Sequence, residues 1–252
     1  NRERTLAKIV IMGAGIGGIS QAYELRKQLG KEHEIVLLGD STRFEFTPSN
    51  PWVAVGTRTE KQIVVDLPEL MDKYGISFNA KGVKRLHPQD NRLELVDGGE
   101  LEYDYLVIAT GPRLAFEEVP GPGPAGHTQS ICKTGHAVES YIDFEKLVAN
   151  PGPVIVGAAP AASCFGPAYE YVFILDTELK KRKIRDRVPI HFVTPEPYIG
   201  HLGLDGVGDT KSLLESEMRD RHIKWTTNAR ITEVEEGKMH VVEVDEDGND
   251  KK

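Results

Sequence analysis

An α/β fold built as two parallel-sheet domains in tandem is what this sequence predicts, on three observations. A strand pattern near the N-terminus runs into a glycine-rich turn and a helical pattern, a second strand starts such a turn at Val154, and strand and helix patterns alternate through the second half. Short apolar runs alternating with helical segments mark strands buried on both faces, hence two Rossmann-like three-layer dinucleotide-binding domains. The second is expected to be incomplete at its C-terminus.

The first domain is expected over residues 1–119. Leu6 to Met12 reads as a buried strand, Gly13-Ala14-Gly15-Ile16-Gly17-Gly18 as the turn, and Ser20 to Leu29 as the helix. In such a GxGxxG turn the first glycine makes the bend, the second lets backbone approach a pyrophosphate, and the third lets helix and strand pack closely. Glu34 to Leu38 is the next strand, and Asp40 follows the last glycine at about the 20-residue spacing of an acid that binds an adenosine ribose. That acid usually caps the strand itself, where Gly39 stands here. The turn alone is weak; strand, helix and acid together point to a nucleotide. A turn that merely packs a helix on a sheet would leave unexplained the later strand Tyr103 to Ile108, which closes on Ala109-Thr110-Gly111, small residues whose amides can lie against a cofactor.

Pro120-Gly121-Pro122-Gly123-Pro124-Ala125-Gly126 stops both helix and strand and is the expected linker to a second domain, 120–252. There His136 to Val148, Ala168 to Lys181 and Lys211 to Arg221 read as helices, and Val154 to Val156, Pro189 to Thr194 and Ile223 to Thr226 as strands. Its turn, Gly157-Ala158-Ala159-Pro160-Ala161-Ala162-Ser163-Cys164, puts Ala159 and Ala162 in the places of the later glycines, so a pyrophosphate cannot come close. Gly166-Pro167 then opens a helix, which sets Cys164 just before a positive helix end, where a thiolate is favoured. A buried small residue is the plainer fate of a free cysteine. Glu170, six positions on, is either a base or a charge suited to the helix dipole. Met239 to Val244 alternates as a strand and reaches Asp247-Gly248-Asn249, a hairpin signal with no returning strand, so the chain is expected to be part of a longer protein.

Composition narrows the class. The 252 residues, 39% hydrophobic and 28% charged, suit a globular, soluble chain, with no run near the ~20 apolar residues of a membrane span. Net charge is −8, and the one basic cluster, Lys180-Lys181-Arg182-Lys183, sits on a helix end, so nucleic acid is not an expected partner. Cys132 and Cys164 form neither C-x-x-C nor a Cys/His zinc spacing, so no metal site is expected and redox work or burial remain.

Ala109-Thr110-Gly111 resembles the second fingerprint of flavoproteins with two dinucleotide-binding domains, in which the first turn holds FAD and the second NAD(P)H. Four further segments make the resemblance closer: Phe44 to Gly56, Ser130-Ile131-Cys132, Ala162 to Tyr171 and Glu196 to Gly203. Through them the chain resembles the N-terminal portion of bacterial sulfide:quinone oxidoreductases. The resemblance implies FAD as cofactor, held by Gly13, Gly15, Ile16, Gly17, Gly18, Gly39, Asp40, Thr47, Ser49, Asn50, Val83, Ala109, Thr110 and Gly111. It implies oxidation of sulfide to polysulfur, with Cys164 carrying the sulfur chain, Cys132 an accessory thiol, and His136, His201 and Glu170 tuning the site. Electrons pass to quinone, and the parent protein is peripheral on the bacterial cytoplasmic membrane and a candidate homo-oligomer. The family's third redox cysteine would fall after residue 252, so this chain alone is expected to be inactive. Ser49-Asn50-Pro51 also reads simply as a turn, and Trp52 as core.

Three other readings share the architecture. A type II NADH:quinone dehydrogenase gains support from Glu196, which ends the second strand of the second domain where a ribose-binding acid would lie. A flavocytochrome c sulfide dehydrogenase flavoprotein would pass electrons to haem, and a nucleotide-binding fragment would not turn over at all.

Overall fold

The computed structural model describes residues 6–159, 161–162, 164–245 and 249–251. In chain order its elements begin β1 (Lys8–Met12), α1 (Ile16–Leu29), β2 (Glu34–Leu38), β3 (Arg43–Glu45), α2 (Asn50–Val53), α3 (Glu60–Ile63), β4 (Val64–Asp66) and α4 (Pro68–Lys73). Next come β5 (Ser77–Asn79), β6 (Val83–His87), β7 (Arg92–Leu95), β8 (Glu100–Glu102) and β9 (Tyr105–Ile108). The remainder is α5 (Thr134–Ala149), β10 (Val154–Gly157), α6 (Gly166–Lys181), β11 (Ile190–Val193), α7 (Thr210–Asp220), β12 (Ile223–Thr226), β13 (Ala229–Glu235) and β14 (Lys238–Glu243).

The chain divides into two compact units. One holds the chain up to Phe46 together with Lys61–Arg113, and the other holds Thr47–Glu60 and the chain from Leu114 on. The Thr47–Glu60 excursion goes with the second unit because Val55 is buried there among Phe144 of α5 and Phe165 and Tyr169 beside and on α6.

In the first unit a parallel sheet runs in the order β5-β2-β1-β9, with Val10 opposite Val36 and Ile11 opposite Val107. The uninterrupted apolar runs of β1 and β2 follow from burial on both faces. Ile11 and Leu37 point to Ala22 of α1 and to Leu67 and Met71 at α4, while Val10, Val36 and Leu38 point to Leu93 and Leu95 of β7. Each such buried Leu or Ile contributes roughly 1.5–3 kcal/mol. The second covering layer is the antiparallel sheet β6-β7-β8.

In the second unit β10, β11 and β12 form a parallel sheet, registered Val156 to Phe192 and Phe192 to Trp225. Phe192 is fully buried, and the ring of Tyr169 lies 4.7 Å from it. At the far end of α6, Asp176 has no exposed surface and binds Lys180 at 2.8 Å, Arg185 at 2.6 Å and Arg221 at 2.9 Å. Burial alone would raise its pKa, yet these three cations hold the carboxyl below its usual range.

Two expectations change here. Pro120 to Gly126 is pinned rather than a free linker. Val234 N–H donates to the Pro120 carbonyl at 2.9 Å, and a Cβ on Gly121, φ +90°, would lie 1.8 Å from the Val234 carbonyl oxygen. β13 and β14 form an antiparallel hairpin, and after it Val244 makes an isolated antiparallel bridge to Asp250. Asp247 and Gly248, expected as that turn, lie outside the described residues, as do Pro160 and Ser163. Among the described residues no helix is long and apolar enough to cross a membrane.

Candidate functional site

At the carboxyl end of β1 the first turn has the geometry that its glycines require. Gly13 N–H donates to the Leu38 carbonyl at 2.9 Å, and at φ +116° a Cβ there would lie 2.2 Å from the Ala109 carbonyl oxygen. A Cβ on Gly18 would lie 1.7 Å from the Gly13 carbonyl oxygen, so α1 begins hard against the turn. Gly15 differs: nothing lies within 4 Å of where its Cβ would be, and Gly15, Ile16 and Gly17 are all exposed. Gly15 is the N-cap of α1 with no side chain bonded over the first turn. That leaves an open cradle of first-turn amides at the positive helix end, the shape and charge a pyrophosphate needs.

Around that cradle the chain gathers the other expected residues of this unit. Gly39 is buried just past β2, its N–H donating to the Asn79 carbonyl at 2.9 Å, and the next residue, Asp40, is exposed. Gly82 N–H donates to the Gly39 carbonyl at 2.9 Å, which sets Val83 beside Gly39 and Asp40. Ala109 N–H donates to the Met12 carbonyl at 2.8 Å and leads into exposed Thr110 and Gly111. Residues far apart in sequence thus meet at one end of one sheet, where open α/β sheets bind ligands.

The second unit carries the thiols. Cys132 and Cys164 are both free and exposed. Each directly precedes the N-cap of a long helix, Lys133 for α5 and Phe165 for α6. Both sulfurs thus stand at positive helix ends in reach of solvent, which is how a reactive rather than an inert cysteine is placed. In the altered turn Ala161 holds φ +57° and Ala162 N–H donates to the Ala159 carbonyl at 3.2 Å, a tight bend with no glycine to open it.

Ser49 and Asn50, expected against flavin, have their side chains buried in the protein instead. Arg58 donates to Ser49 Oγ. Asn50 has no exposed surface: its Nδ2 donates to the Ile131 carbonyl at 2.9 Å and its Oδ1 accepts from Thr134 Oγ1 at 3.2 Å. Asn50 therefore clamps both sides of the Cys132 turn. α2 packs against both α5 and α6, so this short helix braces the two cysteine-bearing helices. Thr47 remains exposed. Trp52, expected in the core, lies at the surface with the Arg58 guanidinium 5.8 Å from its ring centre.

His136 sits in the first turn of α5 with its ring 5.9 Å from Phe116 and its Nδ1 buried. Burial first, and the Lys133 charge second, push its pKa down, so the ring is neutral near pH 7. His201 uses both ring nitrogens within its own loop: Nδ1 accepts from Gly203 N–H at 3.1 Å, which leaves the proton on Nε2, 3.0 Å from Asp205. Glu170 is exposed on α6.

The most consequential correction concerns Glu196. It is only 2% exposed. Its Oε2 accepts from Tyr169 OH and from Thr194 Oγ1, both at 2.7 Å, and its Oε1 from Leu202 N–H at 2.6 Å. Burial above all, with Glu196 adding to it against the pull of Gly200 N–H, keeps the Tyr169 hydroxyl protonated far above its ordinary range. Buried and turned to three donors of its own chain, this carboxylate is not presented to a ribose. The sequence signal for this network was present in Tyr169 and Thr194 but has no motif to announce it.

A model of the pyridine nucleotide-disulphide oxidoreductase family matches residues 7–252. The chain belongs to that family. Within the pyridine nucleotide-disulphide oxidoreductases it is 43% identical over 231 residues to the sulfide-quinone reductase of Aquifex aeolicus, a match covering 92% of this chain and 53% of that protein. The mitochondrial sulfide:quinone oxidoreductase of Dictyostelium discoideum is 29% identical over 195 residues, 75% of this chain and 42% of that one. The crystal structure of the Aquifex aeolicus sulfide:quinone oxidoreductase superposes with a TM-score of 0.89 at 42% identity, covering 96% of this chain and 55% of that one. NDH2 of Plasmodium falciparum in complex with NADH shares the fold alone, with a TM-score of 0.73 at 16% identity over 95% of this chain and 51% of that one. The chain spans about half the length of the relatives it matches.

Proposed function

We propose that this chain is the FAD-binding and sulfur-handling part of a sulfide:quinone oxidoreductase. The observation that carries the reading is Cys164, free and exposed at the start of α6, in the turn where a nicotinamide-binding domain would keep its glycines. The likeness to the Aquifex aeolicus sulfide-quinone reductase supports it. The NADH-linked reading loses its support with Glu196, whose carboxylate is already taken.

The residues present fit FAD. The open cradle at Gly15, Ile16 and Gly17 receives the pyrophosphate, Asp40 the adenosine ribose, Gly39 and Val83 lie along the adenosine side, and Ala109, Thr110 and Gly111 give close backbone approach. The side chains of Ser49 and Asn50 are buried and support the Cys132 turn. FAD, when bound, accepts the two electrons released as hydrosulfide becomes sulfane sulfur and passes them to quinone.

Cys164 carries the sulfur that hydrosulfide attacks. A new S–S bond forms to the incoming sulfur as the existing one breaks, and Cys164 leaves as thiolate, which the positive end of α6 favours. Cys132 takes sulfur in transit. His136 in the first turn of α5 and exposed Glu170 on α6 tune the charge around the two thiols. The whole protein works at the surface of the bacterial cytoplasmic membrane, where quinone is available.

Anaerobic sulfide added to the FAD-loaded parent protein is expected to bleach the visible flavin band, and Cys164→Ala in that protein to abolish the bleaching with FAD still bound. Undiminished bleaching in that variant, or rapid bleaching by NADH, would sink the proposal.

A further inference from the structure

The Glu196 network reaches beyond the thiols to the loop that follows it. Gly200 N–H donates to Tyr169 OH at 3.0 Å, and Leu202 N–H donates to Glu196 Oε1 at 2.6 Å. Both amides belong to the loop of residues 198–206. Gly203 of that loop lies against the Phe165 ring, the residue next to Cys164, at 3.3 Å from its would-be Cβ. The loop is held in a conformation its residues do not favour: Leu202 and Asp205 both sit at φ +58°, each at a cost on the order of 1 kcal/mol. Beyond the network the loop is also held by Ile199, fully buried in the core of this unit, by Thr210 Oγ1, which donates to the Gly200 carbonyl at 2.9 Å, and by Tyr198 OH, which donates to the Asp205 carbonyl at 2.7 Å.

We infer that Glu196 is a positioning residue: standing where a ribose-binding acid would stand, it binds its own chain and fastens the 198–206 loop, His201 included, against the first turns of α6. Thr194 completes the arrangement, since its hydroxyl both donates to Glu196 Oε2 at 2.7 Å and accepts the Glu196 N–H at 3.3 Å. The carboxylate has three donors, and Tyr169 OH relays it to a second loop amide. Removing it loosens the loop at the two amides, while the parallel sheet keeps its own bonds. The inference rests on the reading that the second turn serves a thiol rather than NADH, yet its test needs no sulfide.

The test is site-resolved amide hydrogen exchange on the FAD-loaded protein, joined to NADH titration. Glu196→Ala, and Tyr169→Phe, which keeps the ring against Phe192, should speed exchange at Gly200 and Leu202 about tenfold or more while α5 is unchanged. Glu196→Gln should restore slow exchange, because its carbonyl still accepts from Leu202 and the two hydroxyls can turn to suit the amide. NADH should bind wild type and Glu196→Ala equally poorly. Unchanged exchange at the two amides, or an equal rise throughout the second unit, would overturn the inference. So would saturable NADH binding by wild type that Glu196→Ala weakens tenfold. Loss of sulfide bleaching with these exchange results intact would count against the sulfide reading alone.

Discussion

Two glycines of one turn should fail in opposite ways. Gly15→Ala adds a methyl group where nothing lies within 4 Å, at φ −84° and ψ −169°, an extended conformation that alanine adopts freely. Its stability should barely change: the gain from a less flexible unfolded chain, about 0.4–1 kcal/mol, offsets the poorer N-cap that alanine makes. The same methyl stands in the cradle where the pyrophosphate comes closest, so FAD affinity should fall by roughly one to two orders of magnitude, about 1.4–2.7 kcal/mol. Gly13→Ala instead puts a methyl 2.2 Å from the Ala109 carbonyl oxygen at φ +116°, so the apoprotein itself should lose about 2 kcal/mol or more. Thermal melts of the apoproteins report the first quantity, and quenching of FAD fluorescence on titration reports the second. An FAD excess of about a hundredfold over Kd should stabilise wild type by about 2.7 kcal/mol and Gly15→Ala by distinctly less. Wild-type FAD affinity in Gly15→Ala, or a large loss of its apoprotein stability, would refute the assignment of that turn as the phosphate cradle.

Other outcomes follow from the buried polar groups. Asp176→Ala leaves Arg185 and Arg221 facing each other without their carboxylate and should cost about 3 kcal/mol in a denaturant melt, the low end for a broken buried pair because Lys180 and Arg221 partly reach water. The Asp176 carboxyl is held below its ordinary 3.8, so its stabilisation is complete above that pH and disappears as pH falls through the lower folded value. Asp176→Asn should therefore flatten the acid limb of stability, and melts across that range would check it. Asn50→Ala removes the clamp on Ile131 and Thr134. It should cost about 1–3 kcal/mol and speed thiol labelling of Cys132 while leaving Cys164 labelling unchanged. Equal acceleration at both cysteines would show global loosening instead.

Much of the frame was legible along the chain. The strand-turn-helix runs at β1 and β10 announce themselves because parallel strands buried on both faces need unbroken apolar stretches, and the three helices of the second unit carry clear amphipathic spacing. The antiparallel sheet β6-β7-β8 was not legible, since its strands are only three to five residues long and, although Arg92-Leu93-Glu94-Leu95 alternates, Lys84 and Arg85 together break the alternation of β6. Trp52 shows the same limit for a single residue. An aromatic reads as core until tertiary contacts place Arg58 on its ring and water on its edge.

By itself the sequence determined the local grammar: where backbone must bend, where a helix must start, and that Cys164 stands before such a start. Glycine and proline act on φ and ψ of their own residue, so those decisions need no distant partner. Only the tertiary structure decided what the polar residues do. Glu196 and Asn50 are drawn as ligands by their position in the chain, yet both are taken up by hydrogen bonds to partners two to 84 residues away. A side-chain hydrogen bond is fixed by distances through space, and a burial that forces every donor and acceptor to be matched appears only after the chain has closed on itself.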